Sequence, residues 1–239
     1  FTFDDEENGF VSENGKAVTA GTNVLSEDAV SGKALSLDGT GSNYLKVTDK
    51  DGNALLDECE ELSVSYWTKV SDTGTNWAYY ASKDDEAQIY GQECYIAAVD
   101  KADSYEAVCW KNNGSRTENP TATVTEDKWR QITVVYGKIS TSVYVNGVLK
   151  SEIKGNTALP DIVGNDGVFY IGRANWGSGE YFKGLIDEVR ICNYALTQEE
   201  VTAFYKEKAP SAETEKKCLA SFTFDDEENG FVSENGKAV

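Results

Sequence analysis

Two short stretches of the chain combine residues as a sugar-binding surface does. Trp110 stands beside Asn112 and Arg116 in CWKNNGSR, and Trp176 lies between Asn175 and Tyr181 in ANWGSGEYF. An aromatic face covers the apolar side of a pyranose or furanose ring, while amide and guanidinium groups beside it bind the hydroxyls. The same tryptophans could instead plug the ends of a β domain. Trp67 and Trp129, inside strand-like runs, are expected in the core.

The carboxylates do not form a catalytic pair. A glycosidase needs two carboxyl groups facing each other across a cleft. Asp84-Asp85-Glu86 is consecutive and loop-like, and Asp187-Glu188 is adjacent, which on a strand sends the two side chains to opposite faces. Histidine is absent, which removes His-dependent nucleophile and general-base schemes and all His metal ligands. No enzyme is expected. The 41 acidic and 22 basic residues give a net charge of −19. That balance opposes nucleic acid and anionic membrane surfaces. It offers hard oxygen ligands to Ca²⁺, or serves simply to solvate a secreted surface. No apolar run approaches the ~20 residues of a membrane span.

The chain has five cysteines and no CxxC. Cys94 and Cys109 flank a hairpin-like stretch, CYIAAVDKADSYEAVC, where a cross-strand disulfide is possible. Cys59 precedes ELSVSYW and Cys192 ends LIDEVRIC, so these two could pair if the strands are antiparallel neighbours. The alternative is that all are thiols, as a reducing habitat would keep them. Cys218 is left over.

The elements that must position these groups are strands. Runs at 34–39, 43–48, 62–70, 77–82, 88–99, 105–110, 129–136, 141–150, 167–173 and 184–191 are short and rich in Val, Ile, Tyr and Trp. Asn146-Gly147 between VYV and VLK predicts a type I′ hairpin. Many short strands with few helices imply a sandwich or barrel. One helix is expected: Thr197 and Glu200 form a capping box, Val201, Phe204 and Tyr205 an apolar stripe, and the helix should stop near Lys208, before Pro210.

Residues 1–18 and 222–239 are identical, FTFDDEENGFVSENGKAV. An artificial duplication is one reading. The preferred one is a tandem array in which this chain runs from one unit into the next. The expected division is a β domain over 1–206, a polar linker over 207–221, and the first strand of the next repeat over 222–239.

The order of motifs resembles the laminin-G-like branch of the concanavalin A-like lectin/glucanase superfamily. The resemblance rests on FTFDD, SGKALSLDGTGSNYLKV, LSVSYWTKV, KWRQITVVY with TSVYVNGVLK, and FYIGRANWGSGEYFKGLIDEVRICNYALTQEEV. It implies an all-β, two-sheet antiparallel jelly-roll sandwich with one short C-terminal helix. It also implies a structural Ca²⁺ held by Asp4 and Asp187, with backbone carbonyls near Asp38 to Asn43 completing the shell. The function it implies is a non-catalytic glycan-binding or adhesion module of a secreted or cell-surface protein, with a polysaccharide or glycoconjugate and neighbouring repeats as partners. The alternative is a structural stalk or filament repeat assembling head to tail, with 222–239 packing on a neighbouring subunit.

Overall fold

The computed structural model describes residues 1–4, 10, 15–20, 24–57, 59–70, 74, 76–83, 94–110, 120–124, 128–155, 159–164, 167–175, 180–209, 232–233 and 236–237. The chain divides into two compact units, Phe1–Lys208 and Ala209–Val239. In the second, β15 (Val232–Ser233) pairs antiparallel with β16 (Gly236–Lys237).

The first unit is built from two seven-stranded sheets. The first sheet runs, edge to edge, β1 (Gly15–Ala20), β4 (Tyr44–Asp49), β13 (Val168–Ile171), β6 (Trp77–Ser82), β7 (Tyr95–Asp100), β8 (Ser104–Trp110) and β9 (Thr121–Thr123). The second runs β12 (Val148–Lys154), β11 (Ser140–Val145), β10 (Arg130–Tyr136), β5 (Leu62–Lys69), β14 (Lys183–Cys192), β3 (Ala34–Asp38) and β2 (Val24–Ser26). Adjacent strands pair antiparallel throughout both sheets. Period-two alternation sends Leu45, Ile96 and Phe169 of one sheet and Leu35, Val64 and Ile132 of the other into a shared core.

The core contains a polar seam. The Tyr79 and Tyr136 hydroxyls lie 2.8 Å apart, and that of Tyr136 also donates to the Ala97 carbonyl at 3.2 Å. At the β7–β8 turn the buried Arg130 guanidinium binds the buried Asp100 carboxylate at 2.6 Å. It also donates to the Lys101 and Ala102 carbonyls.

Helix α2 (Gln198–Lys208) closes the outer face of the second sheet, after a single-turn α1 (Leu159–Ile162) that the sequence did not announce. Its capping box forms as expected: Glu200 N–H donates to Thr197 Oγ1 at 3.2 Å, and Thr197 N–H donates to Glu200 Oε2 at 2.8 Å. Asn146 and Gly147 both have positive φ, 52° and 76°, as a type I′ turn requires. The turn's Gly147 carbonyl accepts from Gln198 and Thr202 of α2, which fastens helix to hairpin. Thr197→Ala should therefore cost about 1 kcal/mol in urea unfolding, with an unchanged m-value.

Several expectations are corrected. Residues 1–4 are not in a strand: Phe1 and Val189 exchange backbone hydrogen bonds at 2.6 and 2.8 Å, and the first strand described is β1. Trp67 is buried as expected, stacked on Tyr205 of α2 at 5.6 Å. Trp129 is half-buried, and its indole N–H donates to the Asp28 carboxylate at 2.8 Å. Cys59, Cys94, Cys109 and Cys192 stand as thiols rather than disulfides. The register gives the reason. Ile96, not Cys94, lies opposite Cys109, and Ser63, not Cys59, lies opposite Cys192. Cys218 is outside the described residues.

Candidate functional site

The outer face of the first sheet carries a second apolar cluster, separate from the core. Alternation along β13 and β7, with a β-bulge between Trp77 and Tyr79 of β6, places Tyr170, Tyr95, Trp77 and Tyr80 there, with Tyr44 of β4 packed against them. Tyr170 lies directly opposite Tyr80 in the ladder. Tyr80 stacks on Tyr95 at 5.2 Å, and Trp77 meets Tyr95 edge-on at 5.9 Å. These central rings are closed to solvent, Tyr80 completely. Access is at the rim. There Tyr44 meets Tyr170 edge-on at 5.5 Å, and the half-buried Arg173 guanidinium lies 4.6 Å from the Tyr44 ring centre and 5.2 Å from that of Tyr170. A guanidinium over a ring face is attracted by the ring quadrupole while its remaining N–H groups stay available as donors. Arg173 Nε donates to the Ala174 carbonyl, which fixes its direction.

Two of the expected sugar-binding residues, Tyr181 and Asn175, are described. Tyr181 bridges to Arg173 across the strand ladder, and its hydroxyl packs so closely on Gly41 that a Cβ there would lie 2.5 Å away. Asn175 is buried two residues beyond Arg173. The Trp110 backbone pairs with Tyr95 at the end of β8. Asn112, Arg116 and Trp176 lie outside the described residues. The ring and guanidinium cluster of Tyr44, Tyr170 and Arg173 was not among the residues singled out from the sequence. The signal was present in YIGR and NYLK, whose tyrosines alternate with core residues. Along β4, a cleft of about 640 Å³ is lined by Lys46, Thr48, Asn53, Asp57 and Gly167.

The second expected site joins Asp4 and Asp187. Both carboxylates do grip one loop, residues 30–33. Asp187 Oδ2 accepts from the Val30 and Ser31 amides at 2.9 and 3.2 Å, and Oδ1 accepts from Glu188 N–H at 2.7 Å. Asp4 Oδ1 accepts from Lys33 N–H at 3.3 Å. Burial pushes the Asp187 carboxyl up to about 7, although its three amide bonds pull the other way. A β-bulge between Asp187 and Arg190, with Glu188 at φ 49°, overrides simple alternation, so Asp187 and Glu188 are both buried. Glu188 is paired to Lys208 at 2.8 Å.

As placed, these residues do not fit calcium. The groups converging on them are N–H donors and an ammonium, where a cation needs oxygens. The proposed carbonyl donors are also remote. Asp38 pairs with Lys183 and Leu35 with Ile186, so the 38–43 loop lies about four residues, ~13 Å, along the sheet from Asp187. Among the described residues no cluster of three His, Cys, Asp or Glu side chains could hold a metal ion.

Comparison with known proteins gives the fold a context. Domain 4 of AbnA, a GH43 extracellular arabinanase from Geobacillus stearothermophilus solved with arabinotriose, superposes with a TM-score of 0.57 at 23% identity, covering 86% of this chain and 96% of that one. The botulinum neurotoxin type G receptor-binding domain matches with a TM-score of 0.58 at 13% identity, over 81% of this chain and 46% of that one. The binding domain of botulinum neurotoxin DC, solved with rat synaptotagmin II, matches with a TM-score of 0.58 at 13% identity, over 82% and 48%. This chain thus spans about half the length of the toxin chains. At these identities the likeness is one of fold. No curated protein matches the chain in sequence. The family profile for laminin-G-like domains of the concanavalin A-like lectin/glucanases superfamily matches residues 38–202, and the chain belongs to that superfamily.

Proposed function

We propose that the first unit is a non-catalytic carbohydrate-binding module of an extracellular protein, and that its ligand lies across the outer end of β4 and β13. The observation that carries this reading is the Arg173 guanidinium held over Tyr44 and Tyr170, with the Arg173 backbone bridged to Tyr181. It joins a ring face to directed donors, the combination that sugar recognition uses. The β4 cleft adds Lys46, Asn53 and Asp57 as hydroxyl partners and has the size of a small-ligand pocket. The arabinotriose complex of the AbnA domain makes arabino-oligosaccharides the first ligands to try. Catalysis is disfavoured at Asp187 and Glu188, the one adjacent pair of buried acids among the described residues: Asp187 is closed to solvent with both oxygens bonded to amides, and Glu188 is paired with Lys208.

A glycan array followed by calorimetry with arabinotriose tests the reading. Arg173→Ala should weaken binding about 10- to 100-fold, as expected for loss of charged hydrogen bonds, while thermal unfolding changes little. Equal affinity in the variant, or no binding to any glycan by the parent chain, would rule the site out.

A further inference from the structure

We propose that the sugar taken at Arg173 is acidic: the ligand is an otherwise neutral oligosaccharide with one carboxylate, from a uronic or a sialic acid. The inference rests on the sugar-binding reading and adds the charge that the ligand must carry.

Acids outnumber bases in this chain, 41 to 22, so an arginine is easily matched by a carboxylate. Two of the described arginines are. The Arg130 guanidinium binds Asp100 at 2.6 Å, and Arg190 holds Glu207 through both terminal nitrogens at 2.9 and 2.7 Å. Arg173 differs: among the described residues no carboxylate pairs with it. Its Nε donates to the Ala174 carbonyl at 2.7 Å, and the rings of Tyr44 and Tyr170 hold its plane. These contacts use one N–H group and the faces of the guanidinium. The two terminal nitrogens have no partner among the described residues. Such a fork matches the two oxygens of a carboxylate, and the charge-assisted pair is stronger than a bond to a neutral hydroxyl. The half-buried position and the ring contacts keep water from screening that pair fully.

The surroundings limit the ligand to one carboxylate. Alternation along β4 puts Lys46 on the same face as Tyr44, directly opposite Tyr170 in the ladder. Lys46 lines the β4 cleft, but so does Asp57. Their charges cancel, so the cleft adds no net attraction for a second anion. At long range the chain, with a net charge of −19, repels a polyanion. Only the Arg173 fork favours negative charge, and it has room for a single carboxylate. A neutral glycan bearing one acidic sugar satisfies both the local fork and the overall field.

Calorimetry on the full chain tests this with matched trisaccharides. One ends in glucuronic acid and one in sialic acid, each set against its own methyl ester. An acid should bind about 10- to 100-fold tighter than its ester, the worth of charge-assisted hydrogen bonds. The gap should narrow in ~1 M salt. The acid that shows the gap identifies the source. Trigalacturonate, with three carboxylates, should bind no tighter than the singly acidic sugar. Arg173→Gln should bring acid and ester to equal affinity. Arg173→Lys keeps the charge without the fork and should keep only part of the gap. Thermal unfolding checks that both variants fold, and the ester comparison needs no variant. Equal binding of acid and ester by the parent chain overturns the inference and leaves the sugar-binding reading standing. A gap that survives Arg173→Gln, or tighter binding of trigalacturonate, also overturns it. No affinity for any glycan, neutral or acidic, ends both readings.

Discussion

Arg130→Met is expected to destabilise the sandwich by about 3–5 kcal/mol, read from the urea midpoint at constant m-value. The guanidinium binds Asp100, which is wholly buried, and satisfies two turn carbonyls as well. Removing it leaves an anion with no counter-charge in a medium of low dielectric. Burial already pushes the Asp100 carboxyl above its ordinary value, with Arg130 as the main opposing influence. The variant should therefore take up a proton at Asp100, and its deficit should shrink in acid. Adding Asp100→Asn should recover part of the loss at neutral pH. A single variant as stable as the parent would show that the pair is not sealed from water.

The second large effect is on pH. Asp187 titrates near 7 in the folded state against an ordinary 3.8. A carboxyl whose folded value is raised binds more protons folded than unfolded across that interval, so stability falls as pH rises through it. The contribution is complete below about pH 4, is lost progressively up to about pH 7, and then levels off, with an upper bound of about 4 kcal/mol at 1.36 kcal/mol per pKa unit. Asp187→Asn keeps an acceptor for the loop amides and should flatten the curve between pH 4 and 7. Calcium supplies a sharp control. A cation shared with Asp4 would require both carboxylates ionised and would reverse the slope, with stability rising with pH in millimolar Ca²⁺. The amide-lined geometry predicts superimposable curves with Ca²⁺ and with EDTA.

What was legible in the sequence was local. The Thr197–Glu200 box, the Asn146-Gly147 turn and the stop near Lys208 each depend on residues within one turn of chain, and each is found in place. Strand positions were also readable, because alternation survives wherever only one face is buried. It disappears in β6, where all six residues are buried, and WAYYAS then gives no clue that its two faces serve two different clusters. For that reason the outer aromatic face went unseen, and Tyr44 and Arg173 at its rim with it. Cys94 looked symmetric with Cys109 about the hairpin, but the Asp100–Tyr105 pairing sets Ile96 opposite Cys109, two residues from Cys94. Register of this kind follows from the turn that forms. The environment of Asp187 was equally hidden, since the amides that bind it come from a loop more than 150 residues earlier and the bulge after it leaves no mark in the sequence.

The adjacency of Glu188 and Val189 has a mechanical consequence. The chain enters the sandwich on one of these residues, through the Phe1 backbone pair, and leaves it on the other, through the Lys208 ammonium. Tension applied at Phe1 and Lys208 therefore meets at two adjacent residues of β14 and is not drawn along the length of the strands. Such a load opens its hydrogen bonds one after another, as a zipper does, instead of shearing many at once. Under stretch the unit would hang as a side-mounted bead whose entry segment peels first, while the aromatic face of the opposite sheet keeps its shape.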